Sequence, residues 1–168
     1  MPELVYIGLG SNIGDRETNI FSAIAALEVS EEIIVSRTAS IYETDPLYKT
    51  DQPNFLNTVV ELKTVLDPEI LLQVCQGIEL MLGRPREHEK NEPRVIDIDI
   101  LAYETKIIKM NHLSIPHPEI FARKFVLVPW AELAPKFTVQ SFGRMVLELL
   151  ELCPDTSNVR LHPLEKSA

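Results

Sequence analysis

The chain has 168 residues, 45% hydrophobic and 24% charged, which supplies a packed core and excludes a disordered polymer. Its formal net charge of −9 excludes a protein whose whole surface binds nucleic acid or an anionic membrane; a site for phosphate would have to be locally basic or built around a metal ion. The length predicts one domain, 1–168, and the two cysteines, Cys75 and Cys153, make neither a disulfide framework nor a zinc site.

The first predicted element is a buried strand at Leu4-Val5-Tyr6-Ile7, followed by a loop marked by Gly8, Gly10 and Gly14. A helix follows with Ile20, Ala23, Ile24 and Leu27 on one face. Residues 33–42 are rich in β-branched side chains and read as a strand. Residues 44–54 hold two prolines and two aspartates in a loop longer than the usual median of about 4–6 residues, the kind of loop that carries function. Residues 55–63 read as the next strand.

Asp67-Pro68-Glu69 is a helix start: Asp67 can cap free amides, Pro68 suits the first helical position and Glu69 favours the positive end of the dipole. Ile70, Leu71, Val74, Ile78 and Leu82 follow at helical spacing until Gly83, with Cys75 on the apolar face as a buried thiol. Residues 84–93 form a charged loop and 95–101 a strand. A short hairpin around Lys106, a proline-rich bend at 115–118 and a last helix at 142–152 complete the chain, and a polar tail from Pro154, 154–168, is expected to be loose. The order strand, helix, strand, strand, helix, strand predicts a ferredoxin-like βαββαβ core, an α+β domain with an antiparallel sheet and helices packed on one face. No apolar run approaches the roughly 18 residues of a membrane span, and 1–8 lacks the features of a signal peptide, so the cytoplasm is the expected compartment.

The most informative stretch is Pro93-Arg94-Val95-Ile96-Asp97-Ile98-Asp99-Ile100-Leu101. Alternation along a strand sends Ile96, Ile98 and Ile100 to the core and Asp97 and Asp99 to the other face, with Cβ atoms about 7 Å apart. Two such carboxylates repel unless a cation neutralises them, and hard oxygens suit Mg²⁺; the alternative is a solvated strand face. Four of the chain's 16 Lys+Arg, namely Arg84, Arg86, Lys90 and Arg94, fall just before that strand. They are either phosphate-binding forks or a solvated charged loop, and the adjacent carboxylates favour convergence on a phosphate. The glycine cluster at 8–14 lacks the ending of a P-loop and reads as a tight turn before a phosphate cradle. His117, held between Pro116 and Pro118, is either a rigid phosphate donor or a bend residue.

Four segments resemble the 6-hydroxymethyl-7,8-dihydropterin pyrophosphokinase family, in order and at family spacing. They are Gly8-Leu9-Gly10-Ser11-Asn12 with Gly14-Asp15; Tyr42-Glu43-Thr44 with Asp51-Gln52-Pro53-Asn54-Phe55-Leu56-Asn57; Pro93-Arg94 with Asp97-Ile98-Asp99-Ile100-Leu101; and Pro116-His117-Pro118 with Arg123, Phe125-Val126-Leu127 and Pro129. The resemblance spans residues 4–153 and departs from the family pattern at Tyr48 and at Lys90-Asn91-Glu92.

The resemblance implies an ATP-dependent pyrophosphokinase of folate biosynthesis, in which the pterin hydroxymethyl oxygen attacks the β-phosphorus of MgATP to give the pterin diphosphate and AMP. It implies two Mg²⁺ ions on Asp97 and Asp99, with Arg84 and Arg94 as further catalytic residues. The ATP side would be formed by Gln76, Glu79, Arg84, Arg86, Lys90, Arg94, Ile100, Leu113, Ser114, His117 and Arg123, and the pterin side by Thr44, Asp45, Leu47, Phe55, Asn57 and Phe125. The expected partners are these small molecules, with neither nucleic acid nor membrane, and the expected state is a monomer or weak homodimer. The rival reading is a ferredoxin-like module that binds a ligand without turnover, since the fold alone hosts many functions.

Overall fold

The computed structural model describes residues 1–46, 51–83 and 93–164. In chain order these form β1 (Glu3–Ser11), α1 (Arg16–Leu27), β2 (Ile33–Thr38), β3 (Tyr42–Thr44), β4 (Phe55–Thr64), α2 (Pro68–Met81), β5 (Asp97–Tyr103), β6 (Ile108–Lys109), β7 (Ser114–Ile115), a 3-10 turn (Ile120–Ala122), α3 (Lys124–Leu133), β8 (Thr138–Val139), β9 (Arg144–Met145), α4 (Val146–Leu152) and β10 (Val159–Leu161). The main sheet is antiparallel in the order β10-β3-β4-β1-β5, with β2 also paired to β4. Its first half and α2–β5 follow the expected ferredoxin-like order, with β1 between β4 and β5.

The alternation in β1 builds one core. Val5, Ile7 and Leu9 point to the face covered by α1 and α2, where they meet Ile20, Ala23, Leu27, Leu71, Cys75 and Ile78. Ile96, Ile98 and Ile100 join that core, as their spacing predicts. Burial pushes the Cys75 thiol well above its ordinary range, which suits an inert core residue. Asp15 caps α1 by accepting from the Thr18 amide at 3.1 Å. Asp67 makes no such side-chain bond to α2; its backbone carbonyl instead accepts from Leu71 at 2.9 Å.

Three features differ from the sequence-based expectation. The strand expected at 33–42 is broken into β2 and β3, because the chain bulges between Val35 and Arg37 and then crosses at Ala39 and Ser40, whose carbonyls accept from the Thr58 hydroxyl at 3.0 Å each. The second sheet face is also covered, by α3 and α4. There Leu127, Trp130 and Leu149 pack with Tyr6, Val59 and Leu101 in a second core, which includes a Tyr6–Trp130 ring contact at 5.4 Å. Helix α3 escapes periodicity because Phe125-Val126-Leu127-Val128-Pro129-Trp130 is apolar on every side and holds a proline, a helix breaker in most settings. The tail expected to be loose returns to the sheet, where β10 pairs with β3 in the register Val159–Thr44, Arg160–Glu43 and Leu161–Tyr42. Its three-residue length gives no readable alternation. Among the described residues no helix is long and apolar enough to cross a membrane.

Candidate active site

The site begins with two missing side chains. In the central strand β1, Gly8 lies opposite Asp99 of β5 and Val59 of β4, and Gly10 lies opposite Asp97 and Asn57. Paired residues of neighbouring strands share a face, so the glycines open a trough between the β5 carboxylates and Asn57. A Cβ at position 10 would stand 2.6 Å from Asn57 Oδ1, closer than real contacts allow. These glycines therefore form neither a turn nor a loop, contrary to the sequence reading; only Gly14, at φ +73°, takes the turn conformation.

One cavity rises from this trough. Thr44, Asp45, Gln52, Phe55, Asn57 and Phe125 line it, together with Arg94, Asp97, Asp99 and Arg123. Asn57 is buried and its Nδ2 donates to Thr44 Oγ1 at 2.8 Å, which fixes the orientation of the amide at the cavity floor. Phe55 opens β4 and Phe125 stands in the first turn of α3, so two aromatic side chains from opposite sides of the sequence border one space. A second cavity is lined by Leu72, Gln76 and Glu79 of α2, by Ile98 and His117, and again by Arg94, Asp97, Asp99 and Arg123. Glu79 crosses to β5, where its Oε2 accepts from the Ile98 amide at 2.9 Å.

The shared wall is electrostatically tense. Arg94 Nη1 lies 3.0 Å from Asp97 Oδ2, and Arg123 pairs with Glu119 while its guanidinium sits 5.8 Å from the Phe125 ring centre. Burial, with Asp97 as the next contributor, pushes the Asp99 carboxyl well above the usual carboxylate range. Burial and then the Arg123 charge hold His117 below the usual imidazole range, favouring the neutral ring. His117 Nδ1 accepts from the Glu119 amide at 3.2 Å, so in that neutral ring Nε2 carries the proton and is the donor. The Arg94 Nε is buried with no hydrogen-bond partner among the described residues, and an anion is the partner such a group calls for.

Most of the expected site residues converge here. Thr44, Asp45, Phe55, Asn57 and Phe125 line the first cavity, Gln76, Glu79 and His117 the second, and Arg94, Asp97, Asp99 and Arg123 both. Ile100 and Leu113 lie in the hydrophobic core, and Ser114 pairs with Lys109 in the β6–β7 hairpin; none of the three lines either cavity. Leu47, Arg84, Arg86 and Lys90 lie outside the described residues. Four contributors escaped residue-level reading. Gly8 and Gly10 were legible only if the strand ran on through Ser11, and Gln52 sits in a loop without periodicity. Asn12 was visible only as part of a motif. It is buried, accepts from the Arg94 amide at 2.7 Å and donates to Gln52 and Pro53 at 2.9 and 3.1 Å, tying the two cavity walls together.

An α+β sheet with two aromatics lining one cavity, an arginine and histidine lining the other and two carboxylates between them is an arrangement that can serve group transfer between an anionic donor and a flat acceptor. Residues 6–135 match the family model of 7,8-dihydro-6-hydroxymethylpterin-pyrophosphokinase, and the chain belongs to that family. It is 47% identical over 133 residues to the 2-amino-4-hydroxy-6-hydroxymethyldihydropteridine pyrophosphokinase of Bacillus subtilis, covering 79% of each chain. The protein of the same name in Methylorubrum extorquens is 46% identical over 145 residues, covering 86% of this chain and 90% of that one. In fold the chain is similar to wild-type Plasmodium falciparum HPPK-DHPS, with a TM-score of 0.69 at 17% identity; the match covers 90% of this chain and 44% of that longer one.

Proposed function

We propose that this chain transfers a pyrophosphoryl group from ATP to the hydroxymethyl group of 6-hydroxymethyl-7,8-dihydropterin, an enzyme step of folate biosynthesis, and that it acts in the cytoplasm as a monomer or weak homodimer. The observation that carries this reading is the common wall: an aromatic cavity and a cationic cavity meet at Arg94, Asp97, Asp99 and Arg123. An acceptor in the first and a triphosphate in the second would bring their reacting ends to those four side chains. The acceptor oxygen bonds to the β-phosphorus, the bond from that phosphorus to the oxygen bridging the α-phosphorus breaks, AMP leaves with that oxygen, and the acceptor's hydroxyl proton is released.

Phe55 and Phe125 would hold the flat ring, and Asn57, with its amide oriented by Thr44, would read the ring's amide edge. Thr44, Asp45 and Leu47 would complete that side. On the donor side Gln76, Glu79 and Arg123 would hold the nucleotide, and the neutral His117 would donate from Nε2 to a phosphate oxygen. Arg94 would meet the charge that develops on the transferred group. Arg84, Arg86, Lys90, Ile100, Leu113 and Ser114 enter this reading from the family resemblance alone.

The carboxylate pair fits Mg²⁺. Asp97 and Asp99 face both cavities from one side of β5, and the strained ionisation of Asp99 is relieved by a nearby cation. No group of three or more candidate ligands stands together among the described residues, so the Asp97 and Asp99 pair alone carries this reading. When bound, two such ions would neutralise charge on the triphosphate.

Incubation with MgATP and the pterin tests the reading: AMP is expected, and only when both the pterin and Mg²⁺ are present. ADP in its place would mean γ-phosphoryl transfer, and bound ATP without turnover would return the chain to the non-catalytic binding class. Gly10→Ala is expected to raise KM for the pterin about tenfold, the equivalent of about 1.4 kcal/mol, because the added methyl displaces Asn57. Its KM for ATP should not move; an equal rise in both would show that the methyl disturbs more than the pterin cavity.

A further inference from the structure

The segment 155–162 lies beyond the stretch that the family model matches, and it touches both sides of the aromatic cavity without lining it. On one side, helix α3 has no capping side chain of its own at Arg123; Asp155 supplies one, its Oδ2 accepting from the Lys124 amide at 3.1 Å. Lys124 Nζ also donates to the Ser157 carbonyl at 3.1 Å. Phe125, the next residue, is thereby held at the cavity rim.

On the other side, β10 extends the sheet beyond β3, pairing Val159 with Thr44. Arg160 Nη2 donates to Glu43 Oε1 at 3.1 Å and its Nη1 lies 3.5 Å from Asp45 Oδ1. Glu43 Oε2 accepts from Arg16 Nη1 at 2.9 Å, and the same Nη1 donates to the Asn54 carbonyl at 3.0 Å. Asp45 and Asn54 flank the loop between β3 and β4, so one run of charge-assisted bonds, Arg160–Glu43–Arg16, ties its two ends together. Burial raises the Glu43 carboxyl, but the bonds from Arg16 and Arg160 outweigh it and hold the group below the ordinary carboxylate range. His162 anchors the far end: its amide donates to the Ile41 carbonyl at 2.9 Å and its ring lies 2.6 Å from Glu17, the neighbour of Arg16.

We propose that 155–162 is a strap that sets the spacing of the acceptor cavity, with Arg160 as its positioning residue for pterin binding. This rests on the reading of that cavity as the pterin site. Arg160 touches none of the cavity space, so its effect passes through Glu43 and Asp45 to Thr44 and to the loop ahead of Phe55. The donor cavity shares no residue with Arg160 or its partners Glu43 and Asp45, so ATP binding should not sense loss of the Arg160 side chain.

The test compares wild type with Arg160→Ala and Arg160→Lys in steady-state kinetics, with each substrate varied in turn, alongside thermal melting. Arg160→Ala is expected to raise KM for the pterin about tenfold and to leave KM for ATP, kcat and the melting temperature near wild type, since a partly exposed ion pair adds little stability. Arg160→Lys keeps the charge but cannot fork to Glu43 and Asp45 together, so partial recovery is expected. An unchanged pterin KM in Arg160→Ala overturns the proposal. A lowered melting temperature with both KM values and kcat shifted together also overturns it, since the strap would then be general scaffolding. A wild-type protein that makes no AMP and binds no pterin removes the functional reading itself, and the proposal with it.

Discussion

Asp99→Ala and Asp97→Ala are each expected to lower kcat/KM by about three orders of magnitude, equivalent to about 4 kcal/mol of transition-state stabilisation. Both side chains project from β5 away from the isoleucine core, so their removal takes nothing from the packing of Ile96, Ile98 and Ile100. For Asp99 the expected stability change even has the opposite sign to the activity change. Burial and the neighbouring Asp97 make its charged form costly in the folded protein, so a neutral residue there should leave the melting temperature equal or higher when measured without Mg²⁺. Loss of activity with retained or improved stability is the mark of a group kept for chemistry. The measurement is paired: turnover across a Mg²⁺ titration, and melting in the metal-free protein. Near-normal turnover of either variant at ordinary Mg²⁺ would remove the carboxylates from the metal site. A lowered melting temperature in Asp99→Ala would show that the pair is not under the electrostatic tension described.

The sheet and the carboxylates were legible because their signals are short-range. A strand that alternates isoleucine with aspartate tells its own orientation, and β5 folds as that pattern requires. The same holds for the amphipathic faces of α1 and α2, which bury Ile20, Ala23 and Leu27 and Leu71, Cys75 and Ile78. What stayed hidden depends on partners distant in sequence. Nothing near Gly10 says that Asn57, 47 positions on, will occupy the space of a Cβ; the pairing of β1 with β4 decides that. Nothing in the apolar run at 125–130 distinguishes a helix from a buried strand, because the second core accepts apolar groups from all sides. The tail looked loose since its three-residue strand has no pattern of its own and takes its order from β3, from Glu43 and from Glu17. Family likeness supplied what periodicity could not, the convergence of Phe55, Asn57 and Phe125. It also carried Ile100, Leu113 and Ser114, which line neither of the two cavities.

Arg94→Ala is expected to lower kcat by about 10²- to 10³-fold while KM for ATP changes little, the pattern of a group whose interaction strengthens in the transition state. The substitution is clean with respect to the backbone. Asn12 holds this residue through its main chain, accepting from the Arg94 amide at 2.7 Å and donating its own amide to the Arg94 carbonyl at 3.0 Å, and both bonds survive loss of the side chain. What is lost is a partly buried guanidinium whose buried Nε has no partner among the described residues and whose Nη1 sits 3.0 Å from Asp97. Arg94→Lys should recover only a fraction of the rate, because an ammonium replaces a planar fork with a single point charge. Since Arg94 and Asp97 touch, their effects should not add. In Arg94→Ala/Asp97→Ala the combined loss is expected to fall short of the product of the two single losses. Calorimetric ATP binding beside turnover decides the matter. If Arg94→Ala weakened ATP binding as much as it slowed turnover, the side chain would be a ground-state anchor for the triphosphate, and the transition-state role would pass to the other arginine of the shared wall, Arg123.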